Sequence, residues 1–272
     1  MNIKHSILRF FFHIAYNGAP YSGWQYQPKS FSVQQLLEEK LFKIFKRKIT
    51  IYGCGRTDKG VHASQYFFHI DLIDGLPHDF EFIFNKHLPS SVILFEIIPV
   101  NEKEHCRYHA VARTYDYFIH TKSDPFLNQY STLITGKELD FEKMKKAAAI
   151  LKEYDDFRGF CLQPDSHNHT LCEIKESKLC RSFNGDLFRF SITANRFLKG
   201  MIRILVSNLI KVGERNLTLD QFESHLKNNS SVFNSHKPAP PNGLYLSRVE
   251  YRNLKRENES VFFSKLVQGL EY

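Results

Sequence analysis

The sequence has 272 residues, of which 42% are apolar, so it can form one large domain or two of ordinary size around true hydrophobic cores. Its formal net charge is +8, and 37 Lys and Arg residues accompany 25 Phe, 13 Tyr and one Trp, which suits a polyanionic partner because cations pair with phosphates and flat rings stack on bases. No apolar stretch approaches the ~20 residues that span a bilayer, so we expect no membrane insertion.

The N-terminal segment predicts a β-strand rather than a signal peptide. Alternate residues from Leu8 to Tyr16 are apolar, which is the period of a strand with one buried face. Arg9 and His13 interrupt the apolar run, and no small-residue cleavage site follows it. The five cysteines of the chain form no C-x-x-C pair, and their odd number and wide spacing are typical of reduced thiols. We therefore expect a soluble, cytoplasmic protein.

The rest of the first half alternates helices and strands. Ser32 and Gln35 form a capping box, and the apolar stripe that follows predicts a helix over residues 32–45. The later elements are strands at 48–52 and 65–71 around a glycine-rich loop, a helix at 79–88 and a strand at 92–98. The resulting order, β-α-β-β-α-β, is that of a ferredoxin-like unit.

The second half repeats this order of elements, although no close sequence repeat accompanies it. Its predicted elements are a strand at 113–120, a helix at 140–151, a hairpin around Asn184-Gly185, helices at 197–213 and 218–226, and a strand at 244–251. We therefore predict an α+β protein with two tandem ferredoxin-like halves, residues 1–104 and 105–272, and a mainly antiparallel sheet.

The loop between the two strands of the first half reads GCGRTDKGVHA, residues 53–63. Its glycines do not fit a phosphate-binding P-loop, which needs Gly-Lys followed by Ser or Thr, or a dinucleotide fingerprint, which opens a helix. Taken alone, Asp58 and Gly60 could simply make a turn between two strands. The loop needs further context before a function can be assigned to it.

GRTDKGVHA resembles the signature loop of the TruA family of tRNA pseudouridine synthases, and the rest of the chain supports this resemblance. Four further segments resemble that family in the same order: YSGWQYQPKSFSVQQLLEEKL, CRYHAVARTYDYFI, FLKGMIRILVSNLIKVG and APPNGLYLSRVEY. The resemblance implies a pseudouridine synthase fold and isomerisation of uridine in the anticodon stem-loop, at positions 38, 39 and 40 in tRNA numbering. It also implies a homodimer that clamps one tRNA.

The resemblance implies roles for five residues. Asp58 aligns with the catalytic aspartate, and Arg56 with the arginine of the same loop. Tyr115 aligns with the tyrosine that packs on the target uridine, and Arg203 with the basic residue that pairs with the aspartate. Leu244 aligns with an apolar residue that lines the pocket. Without the resemblance, Tyr115 would be interpreted as a core aromatic, Arg203 as a solvated helix residue and Leu244 as an ordinary strand residue.

Some positions depart from the family pattern. Lys59 and Cys106 stand where alanine is common, and Ser207 stands where the helix usually carries glycine. None of these changes removes a catalytic group, although the last could alter helix packing. Residues 155–172 also resemble the family less closely, so the sequence leaves the choice of target open.

The chemistry that the resemblance implies explains the residue types. Conversion of uridine to pseudouridine breaks the bond from C1′ to N1 and forms one from C1′ to C5, without net redox change or energy input, so we expect no cofactor and no metal. The reaction needs an ionised carboxylate beside the sugar and the base, and a pocket for a base taken out of its stack. Asp58 could attack the base, attack the sugar or remove a proton from the sugar, and the sequence does not choose among these.

Other functional interpretations are weaker. A non-catalytic RNA-binding module with tandem ferredoxin-like sheets would be expected to carry an aromatic-rich RNP signature, which is missing. A metal-dependent nuclease would need a carboxylate cluster. His69 and Asp71 form an H-x-D motif, but alternate positions on an amphipathic strand explain it. A zinc site is a further alternative without the tight paired spacing of structural zinc, and it would consist of Cys161, His167, His169 and Cys172.

Overall fold

A computed structural model describes the protein over residues 7–136, 138–228, 237–257, 259–268 and 270–271. The protein combines α-helices with strands that pair mainly antiparallel. It forms two compact units, which are Met1–Val111 with Leu246–Ser264 (unit 1) and Ala112–Tyr245 with Lys265–Tyr272 (unit 2). Among the described residues, no helix is both long and apolar enough to cross a membrane.

Unit 1 contains the strands that carry the glycine-rich loop. Its elements include β1 (Leu8–Tyr16), α1 (Val33–Phe45), β2 (Tyr52–Gly53), β3 (His62–Leu72), α2 (Phe80–His87) and β4 (Val92–Val100). Strand β1 lies between β3 and β4 and pairs antiparallel with both. The short strand β2 also pairs with β3, so that Tyr52 lies opposite His69 and Gly53 opposite Phe68. The loop after β2 therefore returns directly to the same sheet.

Helix α1 forms where the capping box predicts it. The Ser32 side chain accepts a hydrogen bond from the Gln35 backbone amide at 3.2 Å, which satisfies one of the donors that a helix start leaves unpaired. The helix buries four apolar residues of its predicted stripe: Val33, Leu36, Leu37 and Leu41. The segment that precedes β2 is thereby packed onto the core of unit 1.

The strand predicted over residues 48–52 is much shorter in the structure. Only Tyr52 of that segment belongs to β2. Ile49 and Ile51 are buried, so the apolar alternation that suggested a strand reflects packing in the core of unit 1. The strand predicted at 65–71 is present and longer, because β3 begins at His62. The connection between β2 and β3 is therefore only residues 54–61.

Unit 2 contains most of the second half of the chain. Its elements include β5 (Ala110–His120), β6 (Thr132–Leu133), α3 (Phe141–Ile150), β7 (Ile174–Ser182), β8 (Leu187–Ala194), α4 (Met201–Gly213) and α5 (Leu219–Asn228). Strand β8 pairs antiparallel with β7 and β5, and β6 pairs parallel with β5. A short strand, β10 (Leu270–Glu271), pairs with β7. Strand β9 (Leu244–Tyr251) begins in unit 2 and ends in unit 1, whereas β5 and α6 (Val261–Val267) begin in unit 1 and end in unit 2.

The long helix predicted over residues 197–213 begins later, at Met201. Gly200 precedes it with a φ of 70°, a left-handed conformation that glycine adopts easily and that does not continue a helix. Ten of the 13 residues of α4 are buried, so the helix is enclosed on most of its surface rather than along the single stripe that its sequence suggested.

Candidate active site

The glycine-rich loop of unit 1 begins where a side chain would not fit. A Cβ atom on Gly53 would lie 2.2 Å from the hydroxyl oxygen of Tyr66 and 2.5 Å from the indole of Trp24. At the other end of the loop, Gly60 has a φ of 77°, which favours glycine. Gly55 is different, because a Cβ atom there would meet nothing within 4 Å. The structure therefore explains why glycine occupies two of these three positions, Gly53 and Gly60.

Aromatic rings support the loop. Trp24 stacks on Tyr66 with ring centroids 4.1 Å apart, and Tyr16 lies 5.6 Å from the same Tyr66 ring. The Tyr66 hydroxyl donates a hydrogen bond of 2.6 Å to the backbone oxygen of Gly55. Burial raises the pKa of Tyr66 well above its ordinary value, so this hydroxyl keeps the proton that the hydrogen bond requires.

Thr57 is fixed through both its side chain and its backbone. Its hydroxyl makes a hydrogen bond of 2.8 Å with the Tyr16 hydroxyl, and its carbonyl oxygen accepts one of 3.1 Å from the Trp24 amide. The chain can come this close because Gly23, at a φ of 90°, has no side chain, and a Cβ atom there would lie 2.4 Å from the Thr57 oxygen. Thr57 is the buried centre of the Arg-Thr-Asp sequence, with only 8% of its surface exposed.

The neighbours of Thr57 have accessible side chains. Arg56 and Lys59 are exposed, and Asp58 is partly exposed. The carbonyl oxygen of Asp58 accepts a hydrogen bond of 3.2 Å from the Val61 amide, which closes a tight turn. The loop thus combines a hydrogen-bonded backbone with a partly exposed aspartate and an exposed arginine, which are residue types that acid–base or nucleophilic chemistry uses.

Unit 2 holds the other three predicted residues. Tyr115 lies on β5 and is only half-buried, whereas Tyr117, two residues further along the same face, is fully buried. The Tyr117 hydroxyl bonds within the unit, at 2.7 Å to Thr132 and 2.8 Å to the Pro240 carbonyl oxygen. Tyr115 instead meets the ring of Phe197 edge-on, with centroids 5.2 Å apart. Tyr115 is therefore not a core aromatic of the same kind as Tyr117.

Arg203 does not behave as the solvated helix residue that its sequence position suggested. It is half-buried on α4, and its Nε donates a hydrogen bond of 2.6 Å to the carbonyl oxygen of Ala239. The Ala239 amide returns a bond of 3.0 Å to the Arg203 carbonyl oxygen. Leu244 is buried at the start of β9, directly after Gly243, where a Cβ atom would lie 2.6 Å from the Phe118 backbone oxygen. The three candidate residues of unit 2 thus lie on regular elements: Tyr115 on β5, Arg203 on α4 and Leu244 at the start of β9.

The H-x-D motif on β3 has structural partners. Asp71 forms a two-point ion pair with Arg9, in which both nitrogen–oxygen distances are 2.7 Å. This pairing lowers the pKa of Asp71. His69 lies beside the Cys106 sulfur at 3.2 Å, and burial lowers the pKa of His69 to about 3, so it is neutral near pH 7.

The four residues considered as a zinc site contain two buried thiols. Burial raises the pKa values of Cys161 and Cys172 to about 11, which keeps both protonated near pH 7. His169 contacts the Arg196 guanidinium at 2.9 Å. In the part of the chain that the structure describes, the groups whose donor atoms are close enough to hold a metal are His69–His105–Cys106 and His13–Glu96–Glu259, which are different residues.

The sequence predictions did not identify the residues that support the loop. The contacts that join Tyr16 to Thr57, Tyr16 to Tyr66 and Trp24 to Tyr66 link residues 41 to 50 positions apart, and local sequence spacing does not predict them. The available signal was the number of aromatic residues before and after the loop, of which Tyr16 ends β1, Trp24 lies between β1 and α1, and Tyr66 lies within β3. Such residues are usually assigned to the core, and these are in the core as well.

Comparison with known proteins identifies the family. A family model described as tRNA pseudouridine synthase matches residues 147–252. Proteins named tRNA pseudouridine synthase A are similar over most of their length: 37% identity in Porphyromonas gingivalis (89% of this chain, 97% of the relative), 35% in Bacteroides fragilis (90% and 97%) and 32% in Staphylococcus aureus (89% and 91%). The chain therefore belongs to the tRNA pseudouridine synthase A family and is an isomerase that converts uridine to pseudouridine in tRNA.

Proposed function

We propose that the protein isomerises uridines at positions 38, 39 and 40 of the tRNA anticodon stem-loop, with Asp58 as the catalytic carboxylate. The observation that carries this proposal is the construction of the loop. Thr57 is buried and held at two atoms, its hydroxyl by Tyr16 and its carbonyl oxygen by the Trp24 amide beside Gly23, while the next residue, Asp58, is partly exposed. An ordered reactive group beside an exposed surface suits a substrate as large as tRNA.

The chemistry assigned to Asp58 follows from the bonds that change. The C1′–N1 bond of uridine breaks, a C1′–C5 bond forms, the C5 hydrogen leaves to solvent, and N1 gains a proton. A carboxylate can act in this sequence as a nucleophile toward the base or the sugar, or as a base toward a sugar proton. In each case the carboxylate must be ionised and directed at the nucleoside. A fixed Thr57–Asp58 peptide supports the second requirement, because it limits the directions that the Asp58 side chain can take.

The other candidate residues are proposed to bind the substrate. Arg56 is exposed next to Thr57, so its guanidinium is available to a phosphate or to a displaced base. Tyr115 is half-buried and edge-on to Phe197, and we propose that its ring packs on the target uracil. Arg203 contributes positive charge, and the apolar side chain of Leu244 contributes a wall of the pocket.

The proposed architecture and assembly extend the family assignment. The order β1-α1-β2-β3-α2-β4 supports a ferredoxin-like first half, and we propose a second half of the same kind, with the division near residue 105. The net charge of +8 supports a polyanionic partner that is bound mainly through phosphates. We further propose that a homodimer clamps the tRNA and that the enzyme works in the cytoplasm without a cofactor.

Release of tritium from uridine labelled at C5 tests the proposed target, because isomerisation exchanges that hydrogen with solvent. Purified protein is incubated with tRNA transcripts that carry uridine at positions 38 to 40, and with matched transcripts in which these positions are cytidine. We expect tritium release only from the first set. Equal release from both sets would show that the enzyme acts on other uridines, and the proposed target would be wrong.

A further inference from the structure

The buried hydroxyl of Tyr16 has a role that the family assignment does not give it. We propose that Tyr16 is a positioning residue, which fixes the direction of the Asp58 carboxylate through its hydrogen bond to Thr57. The proposal rests on the proposed catalytic role of Asp58. It concerns the placement of that carboxylate, not the chemistry that the carboxylate performs.

The peptide groups on both sides of the Asp58 Cα atom are held by hydrogen bonds. A peptide group is planar, so holding the carbonyl oxygen of one residue also fixes the amide nitrogen and the Cα atom of the next. The Thr57 oxygen is held by the Trp24 amide at 3.1 Å. On the far side of Asp58, its own oxygen is held by the Val61 amide at 3.2 Å. Both peptide planes that flank the Asp58 Cα atom are therefore anchored.

The side chain of Thr57 provides a further attachment of the loop. One backbone bond can act as a hinge, because the peptide plane can still rotate about the hydrogen-bond direction. The bond of 2.8 Å between the Thr57 and Tyr16 hydroxyls adds a second point of attachment on the same residue. Two attachment points prevent this rotation. The direction in which the Asp58 side chain leaves the backbone is then fixed by Thr57 and its two partners.

The pair of hydroxyls from Tyr16 and Thr57 lies in the interior of unit 1. Tyr16 and Thr57 are 4% and 8% exposed, so water cannot readily replace either hydroxyl. A buried hydroxyl that loses its partner turns toward another polar group, and for threonine the nearest alternatives are usually backbone groups of the same loop. Loss of the Tyr16 hydroxyl would therefore favour a different Thr57 rotamer and a different direction of the Asp58 carboxylate.

A second tyrosine anchors the loop on the other side of Arg56. The Tyr66 hydroxyl bonds to the Gly55 oxygen at 2.6 Å, so Arg56 is flanked by two residues that are each held by a tyrosine. The two anchors are not equivalent. The Tyr66 anchor is three residues before Asp58, whereas the Tyr16 anchor is on the adjacent residue, so only the latter acts directly on the peptide that carries the carboxylate.

The test is the Tyr16→Phe variant, which removes one oxygen and keeps the ring. We expect kcat for tRNA to fall about 10- to 100-fold, because small displacements of a catalytic group have effects of this size. KM and the affinity for tRNA should change less than about twofold, since no contact with RNA is removed. The matched control is Tyr21→Phe, another buried tyrosine of unit 1, whose hydroxyl bonds to Ser91 at 2.5 Å and not to the loop. Its kcat should equal that of the wild type.

Variants of the partner residue test the same bond from its other end. Thr57→Val should lower kcat as Tyr16→Phe does, and the double variant should be no worse than either single variant, because both remove one interaction. Thr57→Ser keeps the hydroxyl and should retain most of the activity. Additive losses in the double variant, or equal losses in Thr57→Val and Thr57→Ser, would show that the hydroxyl pair does not act as a unit and would overturn the proposal.

Asp58→Asn, measured in parallel, separates the two levels of inference. If Asp58→Asn is active, the proposed role of Asp58 is wrong whatever Tyr16 does. If Asp58→Asn is inactive while Tyr16→Phe matches Tyr21→Phe in kcat, only the positioning role is wrong. Thermal unfolding of Tyr16→Phe and Tyr21→Phe is measured as well. If the loss of kcat in Tyr16→Phe equals the fraction of the variant that is unfolded, Tyr16 only stabilises the fold. This result would also contradict the proposal.

Discussion

The two groups of candidate residues are held in place by different means. In unit 1, Asp58 and Arg56 lie on a connection whose shape depends on individual contacts: two tyrosine hydroxyls, one tryptophan amide and two glycines that leave room for close approach. In unit 2, Tyr115, Arg203 and Leu244 lie on β5, α4 and β9, whose backbones are ordered by regular hydrogen bonding. A residue on a strand or helix is placed by the whole element, whereas a residue on this loop is placed by a few atoms.

This difference predicts how substitutions will act. Small changes in the unit 1 loop should alter catalysis more than stability, because few contacts position a group that must be accurately aligned. Small changes on the unit 2 elements should alter substrate binding or stability according to whether the side chain is half-buried or fully buried.

The largest effect should come from Asp58→Asn, which keeps shape and hydrogen bonding but removes the carboxylate. We expect kcat to fall by about 1,000-fold or more, while tRNA affinity stays within a few fold of wild type. The matched control is Asp74→Asn, which removes a carboxylate from an exposed ion pair of the same unit and should leave kcat unchanged. Pseudouridine formation by purified Asp58→Asn at a rate near wild type would show that catalysis does not need the Asp58 carboxylate.

A pair of glycine variants tests whether the loop depends on close contacts. Gly53→Ala places a Cβ atom 2.2 Å from the Tyr66 hydroxyl oxygen and should lower both stability, by about 1–3 kcal/mol, and kcat, since Tyr66 must move. Gly55→Ala has open space and should have little effect on either. Thermal unfolding and tritium release measure the two quantities. Similar behaviour of the two variants would show that the glycines act only as flexible residues.

Two tyrosines of β5, the half-buried Tyr115 and the fully buried Tyr117, should respond differently to substitution. Tyr115→Ala should lower activity, because it removes stacking on the uracil that is worth about 1–3 kcal/mol. Tyr115→Phe keeps the ring and should therefore keep most of the stacking and most of the activity. Tyr117→Phe should instead lower stability by about 1–2 kcal/mol, because it breaks the buried bonds to Thr132 and to the Pro240 oxygen. Full activity of both Tyr115 variants would remove Tyr115 from the substrate-binding group.

The smallest effect on catalysis is expected for His69, which belongs to the scaffold of unit 1. Its pKa is lowered by burial to about 3, so the unfolded chain takes up the proton at a higher pH than the folded protein does. The stability due to neutral His69 is complete above about pH 6.5 and is lost as the pH falls toward 3, at up to about 1.4 kcal/mol per pH unit. Denaturant unfolding of His69→Asn between pH 4 and 7 should show a weaker dependence on pH than wild type. An equal dependence would show that other groups control the acid sensitivity.

The regular parts of the fold were predictable from the sequence. Residues 244–251 form a strand with the predicted limits, and Ser32 caps the helix that its spacing with Gln35 predicted. Strand β1 was expected to bury one face, yet residues 11–16 are buried on both, because other parts of unit 1 cover both faces: Phe12 packs against Phe80 and Phe84 of α2, and the adjacent Phe11 against Tyr251. Alternation along one segment identifies one buried face, but it does not show what covers the opposite face.

The loop over residues 53–63 was predictable only in part. The resemblance of GRTDKGVHA to a family loop singled out Asp58 and Arg56, but not the residues that hold them. Tyr16 and Thr57 are 41 positions apart, and their contact depends on the pairing of β1 with β3 and on the path of the chain through Gly23. Long-range contacts between single atoms of this kind leave no periodic pattern in a sequence.

We infer that catalysis depends on where the loop places the Asp58 carboxylate, and the variant Asp58→Glu is the test of this claim. Glutamate keeps the charge and the chemistry but moves the carboxylate by one methylene group. Tritium release under single-turnover conditions, with enzyme in excess over tRNA, measures the chemical step without product release. We predict a rate at least about 100-fold below wild type, with unchanged tRNA affinity. A rate for Asp58→Glu within about threefold of wild type would contradict the claim, because the loop would then not need to place the carboxylate accurately.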